Sequence, residues 1–275
     1  MRIEKIDLYK YFDIEKGNVS GGTLCAYVRD DMEALKHKTR PAALVIPGGA
    51  YTMVCDREGE PVALGFLNVG YTAFVLDYSV NVSYPVALDE ALMAVAYIKE
   101  NAEKYNVDKD QMVAIGFSAG GHLTATLATA TEEELKRQPF SASKPSAVIL
   151  SYPVITMGKY THALTRDIIT DNGRIVPETL SIENRVDADS TPAFIWHTYE
   201  DDGVPVENSL LLADAYRKVG VPFSLHIFEK GWHGISLSNL ETSDENPADV
   251  AIYHVGKWLD LAIDWLASRG FKVKS

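Results

Sequence analysis

The sequence predicts an α/β fold: one mostly parallel, doubly wound sheet with an antiparallel N-terminal edge and no large cap domain. Three observations point there. From residue 42 onward, short apolar runs alternate with segments of helical periodicity. The runs are continuous, as in parallel strands covered on both faces. One of them, Met112–Ile115, leads at once into Gly116-Phe117-Ser118-Ala119-Gly120 and a helix-compatible stretch. That G-x-S-x-G sits where it has chemical meaning, in a strand, a sharp turn and a helix.

In chain order, Lys5–Tyr11 and Leu24–Val28 are strand candidates that would form the antiparallel edge. Ala42–Ile46 and Thr72–Asp77 follow. Residues 86–105 carry Leu88, Ala91, Leu92, Val95 and Ile98 on one helical stripe. Beyond Met112–Ile115, further strands are read at Ala147–Ser151, Ala193–Thr198 and Phe223–Phe228, with a helix over 207–219 between the last two. The final helix has Asn246 as N-cap, Pro247 in its first turn and Gly270 as its stop. Ala251, Val255, Trp258, Leu259, Ala262, Trp265 and Leu266 line its face. Tyr152–Thr191 is the one long irregular stretch, expected to be a flap beside the site. No linker or repeat divides the chain, so residues 1–275 read as one domain.

Bulk properties narrow the function. A net charge of −12 argues against nucleic acid or an anionic membrane as partner. No apolar run approaches a membrane span, and the first residues lack the apolar core of a secretory signal. Cys25 and Cys55 are far apart and fit no metal or redox spacing; they read as free thiols in a reducing cytoplasm. No metal or organic cofactor is expected. The sequence is compatible with a homo-oligomer and does not specify one.

A serine hydroxyl needs a base to become a nucleophile. Of seven histidines, His226 and His254 lie inside predicted elements and His197 ends a strand, while His37 and His162 sit in polar segments. His122 packs at the start of the helix after Ser118. His233 lies in Gly231-Trp232-His233-Gly234, a glycine-flanked loop beyond the last strand, the setting a mobile imidazole needs. The orienting carboxylate would come from Glu200-Asp201-Asp202-Gly203-Val204-Pro205 after strand 193–198, and spacing leaves Asp201 and Asp202 both open. Donors for an oxyanion would be the amide of Ala119 and those of the loop Pro47-Gly48-Gly49-Ala50-Tyr51. Tyr51, Tyr152 and Trp232 adjoin these elements and are candidates to line the substrate pocket.

Taken together, these segments resemble the α/β-hydrolase esterases of the acetyl-xylan and feruloyl esterase type, with kinship to the hormone-sensitive-lipase-like group. The resemblance runs from about residue 15 to 268. It is carried by Val45–Tyr51, Leu76-Asp77-Tyr78, Gly116–Leu123, Ser151-Tyr152-Pro153, Trp196-His197-Thr198, Asp201–Pro205 and Gly231–Gly234. It implies a Ser118–His233–Asp201 triad, the aspartate standing three residues before the Val of the Val-Pro pair. It also implies oxyanion amides at Gly49, Ala50 and Ala119. The chain departs from the His-Gly-Gly-Gly of the lipase-like group, with Pro47 in the histidine's place and Ala50, whose Cβ resists positive φ, for the third glycine.

The expectation is a cytoplasmic serine carboxylesterase acting through an acyl-enzyme. Its substrates would be short acyl esters, acetyl first, of a carbohydrate or similar small alcohol or oligosaccharide. Two alternatives stand beside it. Asp201-Asp202 before Gly-Val is similar to the catalytic loop of prolyl-oligopeptidase-like enzymes, which would make the chain a peptidase or amidase. A ligand receptor on the same fold is the non-enzymatic reading.

Overall fold

Continuous apolar runs need cover on both faces, and in the computed structural model eight of them form one sheet with helices on either side. The structure describes residues 1–30, 33, 39–137, 139–243 and 247–272. The strands are β1 (Arg2–Asp7), β2 (Thr23–Val28), β3 (Arg40–Ile46), β4 (Thr72–Asp77), β5 (Val107–Phe117), β6 (Ala147–Ser151), β7 (Ala193–Thr198) and β8 (Phe223–Phe228). The helices are α1 (Leu8–Tyr11), α2 (Glu60–Asn68), α3 (Val86–Glu100), α4 (Ser118–Ala128), α5 (Glu132–Leu135), α6 (Ala163–Ile169), α7 (Glu207–Val219) and α8 (Trp258–Ser268). Strand order is β1-β2-β4-β3-β5-β6-β7-β8. Pairs β1–β2 and β2–β4 are antiparallel, and every other pair is parallel.

The two faces explain the continuous runs. Within β3, Leu44 and Ile46 join the core under α3, α4 and α7, whereas Ala43 and Val45 join the core under α2 and α8. All four are fully buried, so neither face of the strand tolerates a polar residue. The carboxyl ends of β3, β5, β7 and β8 open on one rim, where ligands of such sheets bind.

Three expectations are corrected. The strand read over Lys5–Tyr11 stops at Asp7, whose carboxylate accepts from the Lys10 amide and caps the α1 turn. The terminal helix is α-helical only over Trp258–Ser268; Pro247–Lys257 is 3₁₀-helical. Gly256 lies at the junction, where a Cβ would come within 2.7 Å of the Leu237 carbonyl oxygen. Asn246, read as the N-cap, lies outside the described residues, as does His37. The Tyr152–Thr191 stretch is not irregular. It contains α6 and 3₁₀ turns at Pro177–Leu180 and Ile182–Asn184, and is tied down by the Asn208 side chain, which accepts from the Ile155 and Thr156 amides.

Candidate active site

β5 ends at Phe117 and α4 begins at Ser118, so the chain turns with no residue between. Ser118 takes φ of 52°, a left-handed conformation that costs a non-glycine residue roughly 1–3 kcal/mol. The flanking glycines make the turn possible. A Cβ at Gly116 would strike the Thr124 hydroxyl and the Gly120 carbonyl, and one at Gly120 would strike the carbonyls of Ile46 and Pro47. The elbow therefore presses the start of α4 directly on the end of β3.

His233 arrives from the loop after β8 and Asp201 from the loop after β7. Ser118 Oγ lies 2.7 Å from His233 Nε2, and His233 Nδ1 lies 2.8 Å from Asp201 Oδ2. Asp201 Oδ1 accepts from the amides of Gly203 (3.0 Å) and Val204 (2.8 Å). Burial opposes the Asp201 charge, but hydrogen bonds from His197 and His233, the His233 charge and the Val204 amide outweigh it. The carboxyl is held well below the usual carboxylate range. An ionised acceptor fixes the imidazole proton on Nδ1 and leaves the Nε2 lone pair to accept from the Ser118 hydroxyl. Of the two aspartates that spacing left open, Asp201 makes these bonds while Asp202 is exposed to solvent.

A second, fully buried imidazole backs the carboxylate. His197 Nε2 donates to the Val204 carbonyl at 2.9 Å and stands 3.3 Å from Asp201 Oδ2, and its Nδ1 pairs with Ser209 Oγ at 2.7 Å. The sequence placed His197 at a strand end without a role.

The loop after β3 carries three consecutive positive φ values, Gly49 at 124°, Ala50 at 56° and Tyr51 at 58°. The expectation that Ala50 resists this conformation fails. Turn hydrogen bonds hold it: Thr52 and Met53 amides donate to the Gly49 carbonyl, Cys55 to Gly48 and Asn81 to Tyr51. Among the described residues, the amides of Gly49, Ala50 and Ala119 donate to no protein acceptor, and Gly49 and Ala50 line the same cleft as Ser118. The Gly48 amide is turned away, donating to Glu58 Oε2 at 2.7 Å.

Glu58 was not singled out by sequence, because nothing in the polar run Asp56-Arg57-Glu58 marks it. It is buried, and its other oxygen accepts from the Tyr152 hydroxyl at 2.6 Å. Burial pushes the Glu58 carboxyl up, against the pull of Tyr152, the Gly48 amide, His233 and Arg57. Tyr152 accepts in turn from the Ser236 amide at 2.9 Å, and its ring meets the His233 ring edge-on, with centroids 5.1 Å apart. Glu58 and Tyr152 thus join the β3 loop to the imidazole's support.

The three aromatics expected to line the pocket do not line the cleft beside Ser118, a cavity of about 340 Å³. Tyr51 and Tyr152 are buried because their hydroxyls find partners inside. Tyr51 donates to His122 Nδ1 at 3.0 Å, and His122 Nε2 donates to the Leu180 carbonyl at 2.9 Å. Burial lowers His122 to about 4, so the ring is neutral and structural. Trp232 lies at the surface, 40% exposed. The cleft is walled instead by Met53, Arg57, Glu58 and His162 beside the Gly49–Ala50 turn. His162 caps α6 through Nδ1, which accepts from the Thr165 amide. Among the described residues no cluster of three or more His, Cys, Asp or Glu side chains is disposed to hold a metal ion.

A serine on a strand-to-helix elbow, met by loops from the last two strands of a mostly parallel sheet, is the architecture of the α/β-hydrolases, and the chain has that fold. Known proteins narrow the class. Residues 31–216 match the BD-FAE family, and the chain belongs to it. An endo-1,4-beta-xylanase B from Butyrivibrio fibrisolvens is 41% identical over 228 residues, which is 79% of this chain and 35% of that protein. An acetylxylan esterase from Xylanibacter ruminicola is 27% identical over 79% of this chain and 45% of its own length. The chain thus spans less than half the length of these two relatives. Among solved structures, an acetyl ester-xyloside bifunctional hydrolase from Caldicellulosiruptor lactoaceticus is similar with a TM-score of 0.84 and 33% identity, covering 98% of this chain and 97% of that one.

Proposed function

We propose that this chain is a serine carboxylesterase that removes short acyl groups, acetyl first, from a carbohydrate or similar alcohol. The observation that carries the reading is the unbroken relay from Ser118 Oγ through both nitrogens of His233 to Asp201, with links of 2.7 and 2.8 Å. His233 takes the Ser118 proton as the hydroxyl oxygen attacks the ester carbonyl. The oxyanion gathers hydrogen bonds from the Ala119 amide and from the Gly49–Ala50 turn. His233 returns the proton to the departing alkoxide, and water then repeats the sequence on the acyl-serine. Asp201, with its low proton affinity, stays ionised throughout and steadies the imidazolium.

The acetyl and carbohydrate parts of the reading draw on the relatives, an acetylxylan esterase and an acetyl ester-xyloside hydrolase among them. Cys25 and Cys55 are unpaired, which suits a reducing cytoplasm. Ser118→Ala is expected to abolish both 4-nitrophenyl acetate turnover and fluorophosphonate labelling. Labelling that persists at another residue refutes the assignment. A matched acetyl ester and anilide separate this reading from an amidase: the ester is expected to turn over and the anilide to lag by orders of magnitude.

A further inference from the structure

The cleft beside Ser118 is bordered by a guanidinium that the relay does not use. Arg57 lines the 340 Å³ cleft and also a larger neighbouring cavity of about 830 Å³; Cys55 is shared by both. Among the described residues Arg57 forms no ion pair with a carboxylate, the Cys55 thiol lies beside its guanidinium, and its Nε is buried with no hydrogen-bond partner. The nearby carboxylate of Glu58 is engaged elsewhere, each oxygen already accepting from Gly48 or Tyr152. A buried arginine N–H without an acceptor in the chain is costly, and a water, an ion or a ligand group is what can satisfy it.

The position of the guanidinium says which part of a substrate it would meet. A Cβ built on Gly234 would lie 3.3 Å from Arg57 Nη2, so the guanidinium stands beside the residue that follows His233. His233 is the group that, on the proposed reading, hands its proton to the leaving alcohol. The alcohol half of the ester therefore lies on this side of the cleft. The planar fork of arginine matches a carboxylate better than any neutral group.

We propose that Arg57 recognises a carboxylate carried by the alcohol half of the substrate, so that the preferred substrate is an acylated uronate or an oligosaccharide bearing one. This deepens the esterase reading and rests on it. Charge limits the anion to one position. The larger cavity beyond Arg57 is bordered by Asp56, Glu60, Asp77 and Glu241, with Tyr27 and Tyr78. Those carboxylates repel a second anion and offer acceptors for hydroxyl groups, as neutral sugar units require. The substrate class that fits is one carboxylate at Arg57 with uncharged polyol beyond it.

The test uses two monosaccharide acetates that differ at one carbon, acetylated methyl glucuronide and acetylated methyl glucoside. The ratio of kcat/KM, uronide over glucoside, is expected to be at least tenfold in the unaltered chain, through KM, and to fall as salt rises. Arg57→Gln is expected to bring the ratio near one, and Arg57→Lys to restore part of it. A ratio near one in the unaltered chain, or one that Arg57→Gln leaves unchanged, overturns the proposal while leaving the esterase reading intact. Deacetylated methyl glucuronide binding to Ser118→Ala, followed by calorimetry, separates the two claims further. Binding that Arg57→Gln weakens at least tenfold supports the carboxylate site even if neither acetate turns over, and binding that it does not weaken counts against it.

Discussion

Replacing Asp201 by Asn keeps the shape of the site and changes one atom's hydrogen-bonding character, which makes it the sharpest probe of the relay. The amide oxygen can still accept from Gly203 and Val204, as Oδ1 now does at 3.0 and 2.8 Å. The amide nitrogen then occupies the place of Oδ2 and presents hydrogens to two neighbours, His233 Nδ1 and the His197 Nε2–H. His233 answers by moving its proton to Nε2 and accepting at Nδ1, so it faces Ser118 with a hydrogen where a lone pair is needed. The negative charge that steadies the imidazolium is gone as well. Losses of this kind in hydrogen-bonded triads amount to about 10³–10⁴ in kcat/KM, or roughly 4–5.5 kcal/mol of transition-state stabilisation. Steady-state kinetics on 4-nitrophenyl acetate at pH 7.5, with circular dichroism to verify folding, read the effect. Asp202→Asn is the control, expected to change kcat/KM less than twofold because Asp202 is exposed to solvent. A folded Asp201→Asn variant that keeps more than a tenth of its activity refutes the relay.

Two further substitutions test the scaffold. His122 is neutral when folded down to about pH 4, whereas an unfolded histidine takes up its proton near 6.5. Its contribution is therefore fully present above pH 6.5 and is lost as the pH falls toward 4, by about 3 kcal/mol at 1.36 kcal/mol per unit. In His122→Gln the stability lost between pH 7 and pH 4, measured by urea unfolding, is expected to be smaller by about that amount; an unchanged loss contradicts the buried neutral ring. Gly120→Ala places a Cβ against the carbonyls of Ile46 and Pro47, backbone atoms that cannot turn aside. A stability loss of about 3 kcal/mol is expected by denaturant titration, and a loss under 1 kcal/mol shows that the elbow is looser than described.

The parallel strands were legible because burial on both faces leaves a mark at every position, as in Ala43–Ile46. The edge and the C-terminus were less so. Asp7 ends β1 through a side-chain cap, an effect of one hydrogen bond that a run of apolar residues does not report. The apolar positions of 251–266 fit an α-helical period, but apolar spacing does not report that the stretch before Trp258 is 3₁₀-helical. At the site, chain order and glycine spacing pointed to Ser118 and His233 and left Asp201 and Asp202 both open, Asp201 being implied by the family resemblance; the fold brings Ser118, His233 and Asp201 within hydrogen-bond reach. The choice between Asp201 and Asp202 turned on which side chain faces inward, a matter local spacing does not encode. Tyr51 and Tyr152 misled because proximity in sequence to a functional loop says nothing about where a hydroxyl finds its partner. Glu58 was invisible for the converse reason: its partner Tyr152 lies 94 residues away.

The anchoring of the β3 loop from outside itself has an evolutionary and practical consequence. The Gly48 amide is gripped by a carboxylate ten residues downstream, so the entry to the turn is held from outside, while the Thr52 hydroxyl and the Thr52 and Met53 amides hold its tip through the Gly49 carbonyl. The Met53 side chain, which lines the cleft and is largely exposed, is the position free to drift, or to be randomised in the laboratory, in search of new acyl preferences. A library confined to Met53 samples selectivity while the turn stays put, whereas one that includes Thr52 or Glu58 risks unmooring it.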